Sequence, residues 1–547
     1  MAANLILQLD RKDNVLVALQ DLTAGMDIQF EGSSIIIKNT VPAKHKVFIN
    51  DMQTGDEIIM YGVLVGKVQH AVKSGERMTT ENTRHAAEPY DYRKVDYQWH
   101  KPDVSKFVDR TFNGFHRNDG NVGTANYWLF IPTVFCENRN MDVIKETLHQ
   151  TLGYAVTDKY KLFSEHLIQD LKDGKSITEV DFSPSTELQK ERFFKNVDGI
   201  KFLNHQGGCG GTRQDSEMLG KLLAAYANHP NVAGVTLLSL GCQHLQVGNF
   251  LADIKNYHPS FDKPVLVFEQ QKTQSEEVLI KGAIQETIQG LVEINKLERK
   301  PASLKHLTLG VKCGASDGFS GISANPAVGY TADLLVTLGG KVLLAEFPEL
   351  CGAEQNMIDR CENEEIAKKF IYLMRTYDAQ AHAVGSGFFM NPSPGNIKDG
   401  LITDAIKSTG AAKKGGTSPV VDVLDYTEQA IKPGLSLVCT PGNDVEATTG
   451  KAGSGANLIL FTTGLGTPTG NPICPVIKVA TNTILANKMS DIIDIDTGAI
   501  IRGEKSIPEM GEEILELCIK VASGEFVPKA VALNQDDFIP WKRGVSL

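Results

Sequence analysis

Four apolar runs in the chain stop on reactive side chains beside glycine. IPTVFC ends at Cys136, KFLNHQGGCGG carries His205 and Cys209, LLSLGCQH carries Cys242 and His244, and LGVKCGASD carries Lys312, Cys313 and Asp317. Thiolate and imidazole are good ligands for iron or zinc, and glycine lets a backbone approach a small polar ligand closely. One such cysteine is ordinarily an inert core residue. Four of them at strand ends, in a chain with nine cysteines among 547 residues, predict that at least two line an active site. The spacings match no zinc finger and CxxC is absent, so a structural zinc site is not expected. GFHRNDGNVGTANY (114–127) sets Arg117 and Asp119 beside glycines that can bare N–H groups to an anion. NPSPGN (391–396) and TPGNDVEATTG (440–450) are turn-rich loops suited to walling a site. His45, His70 and His85 fall in or beside the N-terminal strands, and His45 in PAKHK is the one singled out. No GxGxxG or Walker A pattern occurs, which weakens any dinucleotide-dependent reading.

Such side chains need elements to hold them. Residues 1–85 alternate short apolar stretches (VPAKHKVFI, DEIIMYGVLVGKV, AVKSGERM) with glycine turns and predict a small all-β module. Residues 86–107 are charged and aromatic without a period, and predict a linker lying on the surface. From 108 the pattern becomes strand, glycine loop, helix. A strand at 199–203 precedes a helix from about Asp215 that stops before Pro230, and VAGVTLLSL then reads as a strand covered on both faces. PVLVFEQ, SLKHLTLGVKC, KVLLAEF, PVVDVLDY, LSLVCTPG, ANLILFTTG and PVIKVATN repeat the theme. The expectation is α/β: the β-module, a middle α/β domain at 108–300, and an α/β domain at 301–547, with open parallel sheets whose ligand crevice lies beyond the strands' carboxyl ends.

Taken in order, RxDGxVGTxN (117–126), HQGGCG (205–210), HPNVAGVTLLSLGCQ (229–243), KCGASDGFSGISANPAVG (312–329), AEFPELCGAE (345–354), FTTGLGT (461–467) and PVIKVATN (475–482) resemble the altronate/galactarate dehydratase family, as do the two turn-rich loops. VPAKHK, YGVLVGK and GE resemble the β-clip (SAF-type) module that members carry fused or as a separate subunit. The resemblance implies a cytoplasmic hydro-lyase of hexuronate breakdown that turns D-altronate into 2-dehydro-3-deoxy-D-gluconate and water. It also implies iron(II), with manganese(II) as an alternative metal, a Rossmann-like C-terminal domain, and a middle domain supporting a homodimer. Two departures stand out. Asn121 and Ala125 occupy places where members often have arginine, and Thr79 and Glu81 replace the histidines of a His-x-His-Asn pattern of which Asn82 is kept.

On that reading the metal is expected among His205, Cys209, Cys242, Cys313 and Glu346, as a single iron in preference to an iron–sulfur cluster, giving a nearly colourless protein. Lys312 or His45 is the expected base, because a desolvated lysine binds its proton less tightly. Arg117 and Asp119 would orient the substrate, and Asn325, Asn396 and Thr440 would bind its chain. The alternatives are a lyase for galactarate or another hydroxy acid, and a sugar-acid binding protein without catalysis. A net charge of −11 makes nucleic acid and anionic membranes poor partners. No eighteen-residue apolar run and no basic leader with an apolar core occur, so neither a membrane span nor a secretory signal is expected. Scattered, odd-numbered cysteines fit a reducing compartment.

Overall fold

The computed structural model describes residues 5–156, 159–177 and 191–544. The N-terminal module consists of short antiparallel strands, among them Val15–Ala18, Lys46–Phe48, Glu57–Met60 and Val63–Val68. AVKSGERM forms isolated bridges (Val72 with Met52, Arg77 with Val47) and no strand. Inward residues Val15, Val17, Phe48, Ile58, Met60 and Val65 share one core with Phe319, Ile322, Leu401, Ile402 and Ile406 far along the chain. The module is therefore seated on the C-terminal domain by apolar burial, the main favourable term in such docking. The segment at 86–107 forms no helix or strand and lies on the same domain. Arg93 pairs with Asp359, the Tyr97 hydroxyl donates to the Thr417 carbonyl (2.6 Å), and Trp99 Nε1 donates to Thr417 Oγ1 (3.2 Å).

Two parallel sheets follow. The middle domain's sheet has the order Gly199–Phe202, Tyr127–Pro132, Val232–Ser239, Val265–Glu269. The C-terminal sheet has seven strands, in the order Val420–Leu424, Gly434–Val438, Lys341–Ala345, Thr308–Cys313, Leu458–Thr463, Val476–Ala480, Ile495–Asp496. Every pairing in both is parallel. Between the first and third of the middle strands runs the Arg213–Asn228 helix, capped by Thr212 accepting from Asp215 N–H. Its Leu219, Leu222, Leu223 and Tyr226 join a core that also contains Leu343, Val438, Ile459 and Phe461 of the C-terminal sheet. One layer thus serves both domains. A small antiparallel sheet not expected from the sequence, Thr111–His116 with Val122–Gly123 and Lys300–Ser303, ties the start of the middle domain to its end. Among the described residues no helix is long and apolar enough to cross a membrane.

Candidate active site

The Thr308–Cys313 strand lies at the centre of the seven, so its carboxyl end opens into the crevice that parallel topology creates. Its last two residues, Lys312 and Cys313, are both buried. Lys312 Nζ lies 3.2 Å from Glu346 Oε2 and 2.9 Å from Asp444 Oδ1. Lys451 Nζ donates to Glu346 Oε1 at 2.7 Å, and Lys414 Nζ lies 3.6 Å from Glu346 Oε2. Cys313 Sγ donates to Glu349 Oε2 (3.5 Å) and accepts from Lys414 (3.3 Å), while Lys407 pairs with Glu349 Oε1 at 3.1 Å. Four ammonium groups therefore surround three carboxylates in a nearly dry interior.

Burial alone would drive Lys312 toward the neutral amine. The carboxylates of Glu346, Asp444 and Glu349 outweigh that and hold it charged well above the ordinary lysine range. This corrects the sequence expectation of a desolvated base: Lys312 rests as an acid. Burial also lowers Lys451, with Glu346 opposing, to about 8. The Cys313 thiol is pushed up by burial and stays neutral.

Lys312, Phe461 and Lys478 stand in register across three adjacent strands, and so share one face of the sheet. Lys478 is fully buried, its Nζ sits 3.8 Å from the Phe461 ring centroid, and among the described residues that nitrogen has no hydrogen-bond partner. Burial brings Lys478 down to about 7. Two lysines of one row are thus shifted in opposite directions, the pattern that separates an acid from a base.

Glu346 ends the Lys341–Ala345 strand with φ 74° and ψ 64°. A non-glycine residue there costs about 1–2 kcal/mol, and such strain is kept where position matters. Its N–H donates to Thr440 Oγ1 (3.0 Å), which explains Thr440: the hydroxyl positions Glu346, and also donates to the Pro441 carbonyl. The β-module reaches the same end of the sheet. Lys44 Nζ pairs with Asp317 (3.0 Å) and Asp399 (3.1 Å), and Asp317 is further held by Thr481 and Asn482. The buried Lys46 ammonium donates to the Gly400 carbonyl at 2.7 Å. His45 Nε2 donates to the Lys398 carbonyl (2.9 Å), which directs that nitrogen into the 396–400 turn.

The other expected ligands are tied internally. Arg117 donates to the Pro230 and Ala125 carbonyls and to Asn126, and Asp119 braces its own turn through Asn121. Asn325 bridges Thr462 and the Gly410 carbonyl, while Asn396 caps its helix at Ser393 and donates to the Ser316 carbonyl. Asn325 and Asn396 thus shape the fold around the site, whereas Arg117 and Asp119 lie by the amino ends of the middle-sheet strands. Asn82 likewise holds the Thr79 turn, and Glu81 beside it is exposed.

The five expected metal ligands separate into two groups. His205, Cys209 and Cys242 belong to the strand-end loops of the middle sheet, Cys313 and Glu346 to those of the C-terminal sheet. His205 has both ring nitrogens engaged, Nε2 with the Pro132 carbonyl and Nδ1 with Gly207 N–H, and burial lowers it to about 4. Among the described residues, the group whose ligand atoms all lie within 4.8 Å of one another is Cys313, Glu346 and Glu349. Those atoms already face the four lysines. Like unit charges 4 Å apart repel by about 4 kcal/mol at an effective dielectric near 20, so a divalent ion does not fit this group.

The middle domain has its own crevice. A cleft of about 600 Å³ is lined by His205, the glycine loop 207–211, Asp215, Glu446 and the 538–542 segment. Glu446 lies on the Asp444–Gly453 helix that also supplies Asp444 to Lys312. The sequence reading missed Lys44, Lys407, Lys414, Lys451, Lys478, Glu349 and Asp444. Their available signal was a lysine set among small or apolar neighbours, as in STGAAKKGG, ATTGK and PVIKVA.

An α/β scaffold with charged groups buried at its strand ends is the build of an enzyme for a small anionic molecule. Three family models match the chain: the altronate/galactarate dehydratase SAF domain over residues 4–86, the D-galactarate dehydratase/altronate hydrolase second domain over 114–295, and the D-galactarate/altronate dehydratase C-terminal domain over 304–546. The chain is 30% identical to an altronate dehydratase of Escherichia coli (strain K12), with 98% of each chain covered. It is 31% identical to an altronate dehydratase of Bacillus subtilis (strain 168), over 95% of each. A galactarate dehydratase (L-threo-forming) of Escherichia coli (strain K12) is 30% identical, over 94% of this chain and 92% of that one. The chain belongs to the altronate/galactarate dehydratase family.

Proposed function

We propose that the protein dehydrates D-altronate to 2-dehydro-3-deoxy-D-gluconate. The observation carrying this reading is the buried excess of one positive charge: Lys312, Lys407, Lys414 and Lys451 against Glu346, Glu349 and Asp444. A substrate carboxylate neutralises that excess, and fixed ammonium groups in a dry site stabilise the added charge when the neighbouring C–H is ionised. Asp444, with 29% of its side chain exposed, is the member that meets solvent. Exchanging its carboxylate for the substrate's would keep Lys312 paired throughout.

In this scheme neutral Lys478 takes the C2 proton. The C3–O bond breaks, Lys312 gives its proton to the departing hydroxyl, and water leaves. The resulting enol takes a proton at C3 to become the 2-keto acid, so the net change is loss of one water. Glu346 holds Lys312 and Lys451 in place. Galactarate has a second carboxylate and would need a second free cation. Arg117, the nearest arginine to the altered positions 121 and 125, is already fully engaged, which favours the aldonate.

The test is a panel of hexonates and hexarates with the purified protein, and 2-deuterio-altronate alongside. D-altronate should give the highest kcat/KM, with a normal isotope effect wherever proton removal limits turnover. Preference for galactarate would overturn the substrate, and no turnover of any acid would leave a binding protein.

A further inference from the structure

We propose that the pocket where the β-module, the 86–107 segment and the C-terminal domain meet binds a small dianion, apart from the lysine site. Its cavity of about 240 Å³ is bordered by Tyr61 and Leu64 of the module, Tyr97 of the segment, and Glu354, Arg360 and Lys413 of the domain. Sites for drug-sized ligands run to about 300–1,000 Å³, so the occupant here is small.

Two cations line this pocket without a counter-ion. Arg360 is buried, and its Nε and Nη2 both donate to one carbonyl oxygen, that of Ser418 (3.1 and 2.7 Å). Asp333, the carboxylate that acts on it, is already taken by Thr417 N–H, Thr417 Oγ1 and Ser418 N–H. Lys413 Nζ sits 4.4 Å from the Tyr61 ring centroid. Asp13 and Asp10 act on it only from a distance, and Asp13 accepts from the Gly62 and Asp10 N–H groups. Among the described residues neither cation forms an ion pair. Burial lowers the pKa of both, as it does for charges taken out of water without compensation. An uncompensated buried charge is costly, and an anion held in the pocket would remove that cost.

Other groups suit the same occupant. The Thr409 hydroxyl lines the pocket, and its oxygen is buried without a hydrogen-bond partner among the described residues. The buried Glu354 carboxyl, which accepts from Gly352 N–H (2.6 Å), is pushed up to about 7 by burial. Near neutral pH its protonated form can donate to an anion instead of repelling it. Glu88, the other acid on the wall, is exposed. Tyr61 has φ 59°, strain of the kind kept where position matters. Its hydroxyl lies so close to Gly321 that a Cβ there would approach it to 2.4 Å. The module thus supplies a fixed wall that carries Lys413.

The pocket and the lysine site share their supports. Thr409 is two residues from Lys407 on the Asp404–Ala412 helix, and Lys413 adjoins Lys414 in the turn that follows. Occupancy should therefore alter altronate turnover from outside the substrate's place. That consequence rests on the proposed function; the binding does not.

The experiment uses the full chain, with inorganic phosphate and succinate as probes and sodium chloride at matched ionic strength as the control. At least one dianion should raise the melting temperature saturably, and chloride should not. The tighter of the two tells phosphate chemistry from dicarboxylate chemistry. Arg360→Met and Lys413→Met should each weaken that binding by at least about tenfold, the loss expected on removing one charged hydrogen bond. Should Arg360→Met fail to fold, Lys413→Met and Thr409→Val decide. Against altronate the dianion should act non-competitively. No saturable shift with either dianion overturns the site, as does a shift that survives both Lys413→Met and Thr409→Val. A purely competitive pattern that persists in Lys413→Met also overturns it, because the anion then sits on the lysine site. A protein that binds the dianion through Lys413 but dehydrates no sugar acid keeps the pocket and sinks the proposed function.

Discussion

The two parallel sheets end in opposite chemistries. At the end of the C-terminal sheet, charged groups are buried and neutralise one another through short contacts, with Lys312 between Glu346 and Asp444. At the end of the middle sheet, a glycine loop and the exposed Cys209 line an open cleft, and the buried His205 beside them is kept neutral. The first arrangement is suited to moving protons and holding anions. The second is suited to admitting a small polar molecule. One topology therefore supports both, because the strand ends fix position and the loop composition decides what is held there.

The sharpest way to break this comparison is to neutralise the lysine row. Lys478→Met and Lys312→Met should each lower kcat on the order of 10³-fold, within the range for losing a positioned acid or base. Lys312→Met should also lower the melting temperature, since removing one partner of a buried pair costs about 3–5 kcal/mol. Near-normal kcat in both variants would move the proton chemistry to the middle-domain cleft.

A smaller loss should follow Lys44→Met. It leaves the buried Asp317 without its ammonium partner, and an unsatisfied buried group costs about 1–3 kcal/mol. Turnover should fall while His45→Ala has less effect, as read by kcat and thermal melts together. The reverse order would return the catalytic role of the β-module to His45.

The pH profile sharpens the assignment further. Activity should rise through about pH 7 as Lys478 loses its proton, and fall through about pH 8 as Lys451 does. Both folded-state values lie below the ordinary lysine value, so above them the unfolded chain holds more protons than the folded one. Stability should therefore rise from about pH 7 toward the ordinary lysine range while activity declines. Lys451→Arg should shift only the alkaline limb upward. Paired melts and rate profiles check both signs.

Least is expected of Arg117→Met on substrate binding. Its guanidinium braces Pro230, Ala125 and Asn126, so stability should drop by about 1–3 kcal/mol with KM unchanged. A large rise in KM would restore it as a carboxylate clamp.

The parallel strands were legible because burial on both faces writes them as unbroken apolar runs, as in VAGVTLLSL and ANLILFTTG. The small sheet pairing Thr111–His116 with Lys300–Ser303 was not, since its partners lie almost two hundred residues apart and carry no local signal. At the site, glycine punctuation marked the loops that follow the strand ends. It could not reveal partners: Lys312 reads as a desolvated base until Glu346 and Asp444 stand beside it. Nor could strand-end cysteines be sorted by sequence, because Cys209 and Cys313 both precede glycine, yet one is exposed and the other buried.

The 86–107 segment adds a further consequence. It keeps the β-module on the same chain as the domain it is seated on, so their docking is intramolecular, and its own contacts at Arg93, Tyr97 and Trp99 hold it along that domain. Cutting the chain there would turn docking into a bimolecular event. The two polypeptides would then reassemble or separate according to dilution, even with every residue of their shared core intact.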